Sequence, residues 1–139
     1  MKSPASGSVS IKGRIAEGLR KASFLTQLPW VREQFIIKLG IDPYPGTLNL
    51  DVTDSEDVKK LGRIKEKKGI KIVPPEPGFC SAKCFHVLVC GKLEGALIIP
   101  QVSDYPESKV EIISSDKIRE ALSLKAGDLV TVEILLLGH

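Results

Sequence analysis

In SVSIKGRIAEG the apolar residues Val9, Ile11 and Ile15 alternate with polar ones, the two-residue period of a half-buried strand, or of two strands meeting at Gly13. The period changes in LPWVREQFIIKLG, where Val31, Phe35 and Leu39 recur four apart and so share one helical face. Pro29 suits the first turn of that helix and Gly40 its C-terminal stop. DPYPG then reads as a stiff turn, because Pro43 and Pro45 fix φ and Gly46 supplies freedom where the chain must bend. TLNLDV returns to strict alternation, with Leu48, Leu50 and Val52 on one face and Thr47, Asn49 and Asp51 on the other.

From Asp54 to Lys71 the chain is charged and weakly patterned, which reads as a short helix followed by a loop. FHVLVC, GALIIP, KVEIIS and VTVEILLL are four further strands. Between the last two, SSDKIREALSL reads as a short helix with a serine cap, closed by a KAGD turn. Several short strands with two short helices predict a mainly β protein, a small barrel with helical decorations, and argue against a βαβ array.

A length of 139 residues corresponds to one domain, expected over 8–139 after a polar, flexible tail at 1–7. The balance of 42% hydrophobic and 27% charged residues excludes a disordered chain. A net charge of +3 suits a protein that handles phosphorylated small molecules, and equally one with no special partner. Cys80, Cys84 and Cys90 are an odd set without an export signal, as expected of reduced thiols in a cytoplasmic protein. MKSPASGS lacks the apolar segment of a signal peptide, and no apolar run is long enough to span a membrane.

The common nucleotide motifs are missing: there is no G-x-x-x-x-G-K-[ST] loop, protein-kinase signature or dinucleotide fingerprint. His86 lies within an apolar strand and His139 is the last residue, so a histidine-based triad has no natural place. The C-x-x-x-C spacing of Cys80 and Cys84 has no second ligand pair, which favours small buried hydrophobes over a zinc site. The run KKLGRIKEKKGIK, residues 59–71, carries seven cations and one acid and reads as a solvated loop. A nucleic-acid-binding barrel is the competing reading, but no aromatic residue interleaves with the run to form a stacking platform, so no nucleic-acid partner is expected. Thr47 and Asn49 offer two neutral oxygens side by side on one strand face. Such a pair can ligate a hard cation such as Mg²⁺ while substrate phosphates complete its shell. The same pattern also fits two residues that simply face water.

G-T-L-N-L after P-Y-x, preceded by a helix ending in L-G, is similar to the signature of the archaeal-type CTP-dependent riboflavin kinases. The similarity continues through EGALIIP (94–100) and KVEIISSDKIREALSLKAGDLVTVEI (109–134), so it covers about 13–134 in one order. The resemblance implies a compact six-stranded, cradle-loop-type β-barrel with short helices. It implies transfer of the γ-phosphate of CTP to the 5′-hydroxyl of riboflavin, giving FMN and CDP. By position it places Mg²⁺ on Thr47 and Asn49, flavin contacts on Ser103 and Glu111, and nucleotide contacts on Asp116, Lys117, Ile118 and Arg119. There a helix N-terminus would offer free N–H groups beside two cations. Glu111 is then the candidate for orienting or deprotonating the ribityl hydroxyl, with a solvated strand face as the open alternative. A monomer bound to neither membrane nor nucleic acid is expected.

One departure stands out. The family has a G-x-G-x-G turn near its N-terminus that wraps the nucleotide; the matching stretch here is Gly18, Leu19, Arg20, Lys21, Ala22 and Ser23, which keeps only the first glycine. Arg20 and Lys21 can attract phosphate by charge, but they do not restore the backbone freedom that glycines allow. A non-catalytic flavin- or nucleotide-binding member of the family is therefore the first rival reading.

Overall fold

The computed structural model describes residues 7–17, 27–75 and 81–136. The expected tail up to residue 6, the turn from Gly18 to Ser23, Cys80 and His139 lie outside the described residues. The strands are β1 (Ser8–Ala16), β2 (Leu48–Asp51), β3 (Ile70–Ile72), β4 (Ala82–Val89), β5 (Leu93–Pro100), β6 (Lys109–Ile113) and β7 (Leu129–Leu135). They follow one another in the order β3-β4-β5-β6-β2-β1-β7, with β7 also paired to β4. Six strands thus close an antiparallel barrel and β3 is an appendage. The two halves of β4 divide the work: Ala82 to Cys84 pair with β3, and Val87 to Val89 pair with β7. Closure leaves the six strands with few unpaired edges. The barrel expected from the alternation and the resemblance is the barrel observed.

The barrel is filled by alternate residues of every strand. Ile11 and Ile15, Leu48 and Leu50, Val87 and Val89, Leu97 and Ile99, Val110 and Ile112, and Val130, Val132 and Ile134 form one buried cluster. A second cluster lies on the outer face, where Phe35, Leu39 and Ile41 pack on Ile72, Cys84, Ala96 and Ile113. Cys84, Ala96 and Ile113 adjoin the inward-facing Phe85, Leu97 and Ile112 in sequence, so β4, β5 and β6 are each buried over part of both faces. That explains why GALIIP is a continuous apolar run and FHVLVC is interrupted only by His86, while β1 and β2 alternate. Burial also pushes the Cys84 thiol up to about 12, so it stays protonated and behaves as a small hydrophobe. His86 is half-buried on β4, consistent with a strand-surface role.

The helix expected over 28–40 is α1 (Pro29–Gln34), which runs on as a π-helical turn over Phe35–Leu39. Gly40 ends it in the left-handed conformation at φ 72°. Phe35 and Leu39 are buried and Val31 packs beside them, as their spacing requires. α2 (Ser55–Lys65) is longer than the sequence pattern suggested. The Asp54 side chain caps it by accepting from the Asp57 N–H at 3.1 Å, and Leu61 and Ile64 anchor it in the barrel core. Half of the basic run is therefore helix, which corrects the loop reading. Lys59 and Lys60 pair with Glu56 and Asp57 one turn earlier.

α3 (Ile118–Ala121) is a single turn with Lys117 at its N-cap and no side-chain cap, so the expected serine cap is also corrected. Ser114 is buried and is used otherwise: its hydroxyl donates to the Glu94 carbonyl at 2.9 Å and accepts from the Asp116 N–H at 3.3 Å. No helix among the described residues is long and apolar enough to cross a membrane.

β1 passes through Gly13 as one strand. A Cβ there would stand 2.9 Å from Leu50 Cβ, and one at Gly95 of β5 would stand 2.5 Å from the Ile113 carbonyl oxygen. The Gly95 contact is with backbone, which cannot rotate away. Gly95→Ala is expected to destabilise the barrel by ~1–3 kcal/mol, an overpacking cost readable by urea denaturation. Unchanged stability would mean that β5 and β6 can separate there without losing their pairing.

Candidate active site

β2 and β6 bring the polar residues of two distant segments together. Their antiparallel register sets Asn49 opposite Glu111, between the inward-facing pairs Leu48–Ile112 and Leu50–Val110. Since Leu48, Leu50, Val110 and Ile112 fill the barrel, Asn49 and Glu111 project together from its outer face. Thr47 joins them from the end of the proline turn. That turn is held by the Tyr44 N–H, which donates to the Ser114 carbonyl at 2.8 Å, and by Arg32, which grips Asp42 through two bonds of 2.7 and 2.9 Å. Gly46 has φ 123°, a conformation that side chains other than hydrogen rarely permit.

The three side chains form one network. Asn49 Nδ2 donates to Thr47 Oγ1 at 3.2 Å and to the Thr47 carbonyl at 3.3 Å. Thr47 Oγ1 donates to Glu111 Oε1 across a long 3.4 Å, and the Tyr105 hydroxyl donates to Glu111 Oε2 at 2.7 Å. Burial, reinforced by this bond and by the charge of Glu111, pushes the Tyr105 phenol well above its ordinary range, so it remains a donor. All four residues are half-buried.

Two clefts adjoin the network. The first, of about 220 Å³, is lined by Tyr44, Gly46, Thr47, Ser114 and the stretch Asp116, Lys117, Ile118 and Arg119. The second, of about 370 Å³, is lined by Lys65, Gln101, Ser103 and Tyr105. Thr47 belongs to the first and Tyr105 to the second, and Glu111 is hydrogen-bonded to both. Its carboxylate therefore links a lining residue of each cleft. The cations of the first cleft are turned toward carboxylates, Lys117 to Glu120 at 3.1 Å and Arg119 to Glu17 at 3.5 Å. These pairs are largely exposed and screened, so an anion can compete for both cations. With α3 only one turn long, side-chain charge rather than a helix dipole gives this edge its attraction for anions.

Among the described residues no group of three or more His, Cys, Asp or Glu side chains is placed to hold a metal. The network itself offers only oxygen to a cation: a hydroxyl, an amide and a carboxylate. Adjacent ligands of an octahedral Mg²⁺ with bonds of about 2.1 Å lie about 3.0 Å apart. Thr47 Oγ1 and the Asn49 amide terminus, 3.2 Å apart, fit that spacing once the amide presents its oxygen.

Thus Thr47 and Asn49 form one cluster with Glu111, which is distant in sequence; Asp116, Lys117, Ile118 and Arg119 line the cleft beside Thr47; and Ser103 lines the cleft beyond Tyr105. Tyr105 is the functional candidate that the sequence pattern missed. It lies in the aperiodic stretch QVSDYPES, and only the folded loop before β6 shows that its hydroxyl reaches Glu111.

The fold and site define a small closed barrel with two clefts whose linings are linked through the Glu111 carboxylate. The family model CTP-dep_RFKase, described as "Domain of unknown function DUF120", matches residues 15–134, and the chain belongs to this family of CTP-dependent riboflavin kinases. A riboflavin kinase of Archaeoglobus fulgidus is 39% identical over 133 residues, covering 94% of this chain and 56% of the relative. A riboflavin kinase of Methanosarcina barkeri is 33% identical over 135 residues, covering 95% and 59%. The chain thus spans little more than half the length of these relatives. It matches 95% of a riboflavin kinase of Sulfurisphaera tokodaii, at 35% identity over 130 residues and 91% of this chain.

Proposed function

We propose that the domain is a CTP-dependent riboflavin kinase, which phosphorylates the 5′-hydroxyl of riboflavin to give FMN and CDP. The observation that carries the reading is the junction at Glu111, a carboxylate hydrogen-bonded on one side to a residue of the cation-edged cleft and on the other to a residue of the second cleft. A donor nucleotide in the first cleft and a flavin in the second would meet there, which is the positioning that phosphoryl transfer chiefly needs.

In this reading Lys117 and Arg119 exchange their carboxylate partners for phosphate oxygens, and Asp116 and Ile118 complete that wall. Ser103 and Tyr105 border the flavin. Thr47 and Asn49 would hold Mg²⁺, which when bound supplies positive charge against the charge developing on the phosphoryl oxygens. Glu111 Oε1 accepts the proton of the ribityl hydroxyl as its oxygen bonds to the γ-phosphorus; the bond to the β–γ bridging oxygen breaks, and CDP leaves with that electron pair. In the turn from Gly18 to Ser23, Arg20 and Lys21 would contribute charge to the phosphates.

The test is incubation with riboflavin, Mg²⁺ and each of the four nucleoside triphosphates in turn, with detection of FMN. CTP is expected to give the highest rate, roughly tenfold or more above ATP, because a site that hydrogen-bonds one base leaves its polar groups unpaired with another. Equal rates with ATP would overturn the donor assignment. No FMN from any donor would overturn the kinase reading in favour of a non-catalytic binder.

A further inference from the structure

Tyr105 projects from the loop between β5 and β6, and its hydroxyl meets Glu111 Oε2 at 2.7 Å. An O–H···O⁻ bond of that length is charge-assisted and directional. A glutamate on an open strand face otherwise samples several rotamers. Here Oε2 is held, which leaves Oε1 toward Thr47 and the first cleft. The tyrosine is itself held. Lys65, at the end of α2, places Nζ 5.8 Å from the centre of its ring and donates to the Glu107 carbonyl of the same loop at 3.3 Å. Burial lowers the Lys65 pKa, with the charge of Glu107 acting against that shift.

We propose that Tyr105 is a positioning residue for Glu111, aiming its other carboxylate oxygen, Oε1, at the acceptor hydroxyl, and that Lys65 fixes the ring from which this contact is made. The inference rests on the kinase reading and deepens it: α2, which carries none of the reacting groups, becomes part of the support for the proton acceptor. Tyr105 transfers no proton in this role and acts only through Glu111.

The experiment measures FMN formation at saturating CTP and Mg²⁺ with riboflavin varied, for wild type, Tyr105→Phe, Glu111→Gln, Lys65→Met and the double variants with Glu111→Gln. Tyr105→Phe keeps the ring, so the riboflavin KM should stay within about twofold while kcat falls roughly 10- to 100-fold from loss of alignment. Lys65→Met, which keeps the stem of the side chain, should lower kcat by a smaller factor in the same sense. In the Glu111→Gln background both changes should cost less than about twofold further, because groups acting through one residue are not additive. Wild-type kcat for Tyr105→Phe would overturn the positioning role and leave the kinase reading intact. Equal losses with and without Glu111 would overturn it too, since a purely structural tyrosine would act in both backgrounds. No FMN from the wild type would instead reject the kinase reading, and the positioning role with it.

Discussion

Asn49→Ala is expected to reduce FMN formation by roughly a thousandfold, the rate equivalent of several kcal/mol of lost charge stabilisation. Asn49 leaves β2 on the face opposite Leu48 and Leu50, so its amide contributes nothing to the barrel core and its neighbours cannot take its place. A shift of one residue along the strand would present leucine instead. Loss of the amide removes hydrogen bonds to Thr47 only, at a half-buried site, so stability should change by about 0.5 kcal/mol or less. Paired measurements of turnover against Mg²⁺ concentration and of thermal melting check both halves. Wild-type turnover with unchanged Mg²⁺ dependence would show that Thr47 and Asn49 are not the cation's ligands. In the wild type, chelation of Mg²⁺ should abolish activity, and added Mg²⁺ should restore it.

Glu111→Gln is expected to lower kcat by about 10²–10⁴, the range for loss of a proton acceptor in the reacting complex, with little change in the KM of either substrate. The substitution preserves shape, and its amide oxygen can still accept from Tyr105, but it cannot take a proton. A drop smaller than about tenfold would mean that Glu111 orients the hydroxyl without accepting its proton. A large rise in the riboflavin KM would instead assign it chiefly to ground-state binding.

Parts of this site were legible from local pattern. The alternation of TLNLDV placed Thr47 and Asn49 on one side and Leu48, Leu50 and Val52 on the other, as β2 realises it. The four-residue recurrence of Val31, Phe35 and Leu39 found the helix, and Gly40 its end. Where pattern misled, a competing contact explains the outcome. A serine cap is absent from α3: Ser114 is buried, where its hydroxyl must find a partner, and it bonds the Glu94 carbonyl. The basic run looked like a loop because its cations hid two apolar residues, Leu61 and Ile64, which are enough to hold a helix against the core.

Which residues share a face within each element follows from the local sequence, since side-chain direction follows the period of the local backbone. Through its ordered motifs the sequence also identified the family, and with it Thr47, Asn49, Ser103, Glu111 and the stretch from Asp116 to Arg119 as residues to watch. How those faces meet follows from the long-range packing of the barrel. The opposition of Asn49 and Glu111 depends on the pairing of β2 with β6, and that register is set by packing their leucine, valine and isoleucine neighbours into one closed barrel. The reach of Lys65 over Tyr105 depends on where α2 docks against that barrel. No local period encodes such contacts, because they join segments whose separation in sequence bears no relation to their distance in space.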